Sequence, residues 1–160
     1  MNKRLFMQRY RNLVLLAGLF LFVLCLGISL FVFITSFFSD QRQAVKAAEA
    51  FYQYEQQADF GNSWELFHSS MKERFSKGDY IQDRSHVFLQ HFGVDTFQYQ
   101  FSEAEKLTNY QVTEDIIYEE VYRLMVTHIY DSKYGYLEIR QPVIMVPEKE
   151  KWKVLWEYDN

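Results

Sequence analysis

LVLLAGLFLFVLCLGISLFVFITSFF, residues 13–38, runs for 26 residues without a charge. At about 1.5 Å rise per residue such a helix is about 39 Å long, more than the roughly 30 Å hydrocarbon core of a bilayer. The stretch reads as a single transmembrane helix and divides the chain into a head, residues 1–12, and a body, residues 39–160. A cleaved signal peptide fits poorly, because its apolar region is about 7–15 residues long and ends in a small-x-small site, which the residues near Phe37 and Phe38 do not supply. The one cysteine, Cys25, lies inside the span, and Leu24 stands where a lipid-attachment box would need Gly, Ala or Ser. The body therefore has no disulfide.

Charge orients the span. Lys3, Arg4, Arg9 and Arg11 give the head +4 with no acid; the whole chain carries −4, so the remainder carries −8. Cytoplasmic flanks are enriched in Lys and Arg, which predicts the head inside and the body outside, a cell-membrane protein with a signal anchor. The acidic body excludes nucleic acid as a partner, since phosphate contacts need clustered cations. At 100° per residue Gly18, Cys25, Ser29 and Ser36 fall within about 40° of one another, a small-residue stripe suited to packing against a neighbouring membrane helix.

The body has 122 residues, enough for one domain, with an aromatic content and a scarcity of Gly and Pro that exclude a linker. From Asp40 a helix presents Ala44, Val45, Ala47, Ala48, Phe51, Tyr52 and Ala58 on one face and is expected to continue directly from the membrane through Ser39 and Asp40. Glu55 stands in the middle of that apolar face, where a carboxylate needs a partner, solvent or a cavity. Gly61 and Asn62 are expected to interrupt; Ser63 or Asn62 then caps a second helix through Trp64, Leu66, Phe67 and Met71. Ser76 with Asp79 starts a third, and Gly93 ends it. Tyr80, Ile81, Val87 and Phe88 share its face with Arg84 and His91.

After Gly93 the period changes from 3.6 to 2. Phe97, Tyr99 and Phe101 alternate with polar residues, residues 115–130 are rich in Ile, Val, Thr and Tyr, and Asp131, Ser132, Lys133 and Gly135 form a turn into a strand over 134–146. Pro142 predicts an edge or a bulge there. A turn at Glu148, Lys149 and Glu150 leads to a last strand with Trp152, Val154, Trp156 and Tyr158 alternating. The plan is α+β: a transmembrane helix, then about three helices on one face of a curved antiparallel sheet of about four strands.

Phe51 followed eight residues later by Asp59-Phe60, the aromatic helix SWELFHSSMKERFS, the Ser-opened SKGDYI and the closing KWKVLWEY together resemble the nuclear transport factor 2-like superfamily, in particular its small membrane-anchored bacterial members. Glu55 departs from the pattern, which usually has an aliphatic residue there. The resemblance implies a cone, a bent sheet wrapped around helices that often encloses a cavity. Some relatives, such as ketosteroid isomerase, run acid/base chemistry in it; others bind, dimerise or position a larger machine, such as the assembly factors of type IV secretion systems. Fold alone does not choose between them.

Glu55, Arg84 and His91 are the candidate cavity residues, an acid, a cation and an imidazole able to hold a polar ligand or move a proton, set against a satisfied ion pair as the plainer reading. His86 and His91, five residues apart, point about 140° apart on an α-helix and so are not expected to share a metal; His68 and His128 have no ligand set around them. Neither a nucleophile motif nor a glycine-rich phosphate loop occurs, and no cofactor is expected. Tyr118, Tyr122, Tyr130, Tyr134 and Tyr136 could form part of a protein interface. The leading reading is a non-catalytic extracytoplasmic binding or scaffolding domain for an envelope protein or a second copy. Its alternative is a small-molecule-binding or lyase/isomerase-type cavity.

Overall fold

The computed structural model describes residues 3–113 and 116–157, without the side chains of 3–11, 36–39 and 88–90. The basic side chains of the head, Ser36, Ser39, Phe88, Asp115 and Tyr158 thus lie outside the described set. Two units are distinguished, residues 1–40 and 41–160.

In the first unit helix α1, which spans Lys3–Gln56, is apolar on every side over residues 13–35 and exposed at each described side chain from 12 to 35. Its length and composition suffice to cross a membrane. In the second unit the same helix changes character: Ala44, Ala48, Phe51, Tyr52 and Glu55 form one buried stripe, while Arg42, Lys46 and Gln53 do not join it.

The helix ends earlier than its apolar pattern suggests. Ala58 is not on the helical face; it is exposed with φ 56°, and the amides of Ala58 and Asp59 donate to the carbonyls of Glu55 and Tyr54. These are the 5→2 and 6→1 bonds of a Schellman turn, a position usually held by glycine. Consequently Gly61 and Asn62 do not interrupt: Asp59 is the cap, accepting from the Asn62 amide, and helix α2 runs Phe60–Glu65.

The expected second helix is divided. Residues 66–68 extend along the last strand, with the His68 amide donating to Val154 O at 2.9 Å and the Val154 amide to Leu66 O at 3.0 Å. Helix α3, Ser69–Arg74, follows, and α4, Lys77–Ser85, opens on Ser76, whose hydroxyl accepts from the Asp79 amide. From His86 to Phe92 the chain winds as a π-helix and stops at Gly93, φ 64°.

The sheet has five antiparallel strands, β1 (Gln98–Phe101), β2 (Glu105–Thr113), β3 (Ile116–Ser132), β4 (Gly135–Glu148) and β5 (Lys151–Trp156). Both β1 and β2 pair with β3, on its C-terminal and N-terminal halves respectively, and β4 and β5 follow on its other side. Between β1 and β2, Ser102 bonds both the N–H and the C=O of Met125. Strand β2 was not expected; its polar sequence, with only Leu107, Tyr110 and Val112 half-buried, carries little alternation. Pro142 lies one residue beyond the paired length of β4 and β5, where no ladder bond is lost. Residues 143–146 are buried in succession, so both faces of the sheet are covered at its centre.

Candidate functional site

Glu55 is the starting point, since the apolar stripe of α1 carries it into the core with its side chain at 0% exposure. The tight turn at Ala58 returns α2 alongside, so Ser63 donates to Oε1 at 2.5 Å, and Tyr80 of α4 donates to the same oxygen at 2.7 Å. One turn on from Tyr80, Arg84 takes the other oxygen, through Nε at 2.7 Å and through Nη2. The carboxylate thus receives four donors from three side chains, which together meet its hydrogen-bonding capacity.

This is a closed ion pair. Burial opposes the charge on Arg84, yet the Glu55 carboxylate more than offsets it and raises the guanidinium above its usual range. Burial, then the carboxylate beside it, raises the Tyr80 phenol well above the usual tyrosine range, so Tyr80 stays a donor. The Arg84 guanidinium stands 5.6 Å over the Trp156 ring, which also packs edge-on against Phe51 and Phe67.

The same tryptophan borders an open cleft of about 600 Å3 between α3 and strands β2 and β5, lined by Met71, Arg74, Tyr110, Val112 and Glu157. Near it, His68 is fully buried; Nδ1 accepts from the Ser70 amide, and Nε2 lies 2.9 Å from the Tyr118 hydroxyl. Burial lowers the His68 pKa. Among Tyr52, Phe97 and Tyr130, His128 is 3% exposed, and its pKa falls to about 4 through burial and the nearby Arg84 charge.

Of the residues marked as cavity candidates, the structure brings Glu55 and Arg84 together and leaves His91 out. His91 is exposed on the π-helix, its Nε2 2.9 Å from Nε2 of His86. The expected 140° separation assumed α-helical winding; a π-helix bonds i to i+5 and stacks residues five apart. Of the tyrosines, Tyr122 and Tyr130 are buried in the core, Tyr118 is half-buried, and only Tyr134 and Tyr136, at 69% and 66% exposure, face outward at the β3–β4 hairpin. Gly18, Cys25 and Ser29 lie exposed on α1. Ser63 and Tyr80, which complete the shell around Glu55, were legible only as a cap and a core residue; the signal available was the buried position of Glu55 itself. Among the described residues no group of three or more His, Cys, Asp or Glu is placed to hold a metal. No protein-family model matches the sequence, and no curated protein matches it.

Proposed function

We propose that this is a single-pass membrane protein, N-terminus in the cytoplasm, whose residues 39–160 form an extracytoplasmic nuclear transport factor 2-like cone that binds an envelope protein or a second copy of itself without catalysis. The observation that carries the reading is the exposure of Tyr134 and Tyr136 at the hairpin while the neighbouring tyrosines of β3 are buried. Tyrosine supplies apolar contact area with a polar end, the composition of a recognition surface. Ile139 of the same hairpin adds a 42% exposed aliphatic side chain. The saturated shell of Glu55 supports the absence of catalysis, because a base whose lone pairs are all engaged has no room for a substrate proton.

A photo-crosslinking residue at position 136 of the full chain, irradiated in intact membranes, tests this. A discrete adduct, either with a protein of the envelope or at twice the chain mass, is the expected result; irradiation that yields no adduct from position 136, nor from a second chain carrying the residue at position 134, removes the reading. A second reading, a small-molecule-binding domain, rests on the cleft beside Trp156. Ligand-dependent protection of Trp156 fluorescence, abolished by Arg74→Ala, would favour it.

A further inference from the structure

The chain has four histidines, and two of them, His68 and His128, are buried at 0% and 3% exposure. The other two, His86 and His91, are exposed and converge through the π-helix. Their ring centroids lie 4.5 Å apart at 88°, with the two Nε2 atoms 2.9 Å from one another.

That distance has a geometric meaning. A metal about 2.05 Å from each of two nitrogens 2.9 Å apart subtends an angle of about 90° between them. Ninety degrees is the cis angle of tetragonal coordination, which Cu(II) and Ni(II) adopt with nitrogen donors. Tetrahedral zinc would need the nitrogens about 3.3 Å apart. The winding that creates the pair is uncommon and recurs at functional sites. From the juxtaposition of the two Nε2 atoms on an exposed π-helical turn, we infer that His86 and His91 form a binding site for a divalent transition-metal cation of tetragonal preference. The two imidazoles occupy cis positions, and the remaining positions take water or a donor from another molecule.

The neighbourhood makes the site consequential. The carbonyl of Phe92, one residue past His91, accepts from the Lys133 amide, which ties the end of the π-helix to the hairpin bearing Tyr134 and Tyr136. A metal bound here sits beside the turn that anchors that hairpin.

The test uses the full chain without an affinity tag in zwitterionic micelles, titrated with CuCl2 and separately with NiCl2, for the wild type, His86→Ala, His91→Ala and the double variant. One site is expected, weakened roughly tenfold or more by loss of either ligand and abolished in the double variant. Electron paramagnetic resonance of the stoichiometric copper complex of the wild type should show two equivalent imidazole nitrogens; this readout stands even where a variant fails to fold. Equal affinity in the wild type and the double variant, or a copper spectrum with one imidazole or none, overturns the inference and leaves the 2.9 Å contact as a hydrogen bond between two rings.

Discussion

Two polar clusters arise from the same helical stretch, yet one is closed and the other open. Arg84 turns inward to Glu55 and is enclosed with Ser63 and Tyr80 beneath Trp156. Seven residues later His91 faces solvent and meets the ring of another histidine, His86. On an uninterrupted α-helix, residues seven apart share a face. The change to π winding at His86 breaks that relation and moves His91 off the buried side. The contrast teaches that a polar residue at an apolar-face position signals burial only while the helix keeps its period.

The sharpest way to break the contrast is to open the closed cluster. Arg84→Met leaves a buried carboxylate without its cation and should cost about 3–5 kcal/mol, whereas the Glu55→Leu, Arg84→Met double variant should lose distinctly less. Unfolding of the full chain in micelles, followed by near-ultraviolet circular dichroism, measures both. A loss below about 1 kcal/mol for the single variant would mean that Glu55 has access to water.

Acid should act on buried and exposed histidines differently. Because the folded pKa of His128 is depressed to about 4 from an ordinary 6.5, the unfolded chain takes up this proton first. Stability should therefore fall as the pH drops from about 6.5 to about 4, by on the order of 3 kcal/mol from this residue, and His68 contributes in the same direction. His128→Phe should flatten most of that slope; an unchanged slope would place the acid sensitivity elsewhere.

A smaller effect, of opposite sign, is expected at the turn that returns Ser63 to Glu55. Ala58 holds φ 56°, and Ala58→Gly should stabilise the chain by about 0.5–1 kcal/mol, because glycine meets no Cβ penalty there. Destabilisation instead would show that the methyl group packs usefully. Least of all should change at the open end: Tyr136→Ser and His91→Ala should leave the unfolding midpoint unmoved while weakening, respectively, the crosslink made from position 134 and metal binding. A clear fall in the midpoint for either would mark that side chain as part of the fold.

Much of the architecture was legible because local physics dominates it. The apolar run, the caps at Ser76 and Gly93, and the hairpins around Lys133 and Lys149 follow from solvation and backbone preference within a few residues. The apolar pattern of residues 66–68 suits a helix, but the outer edge of β5 offers their backbone better-placed partners. Strand β2 escaped notice for the converse reason: its register against residues 116–123 comes from β3, while its own side chains are mostly polar.

The sequence by itself determined that residues 13–38 need an apolar surrounding, that an α+β body follows, and that Glu55 and Arg84 need partners, since a charge on an apolar face is costly to bury alone. Only the tertiary structure decided which partners those are. Ser63 reaches Glu55 through a chain reversal at Ala58, Tyr80 reaches it from a later helix, and His86 reaches His91 through one change in helical winding; side-chain periodicity alone announces none of these backbone paths.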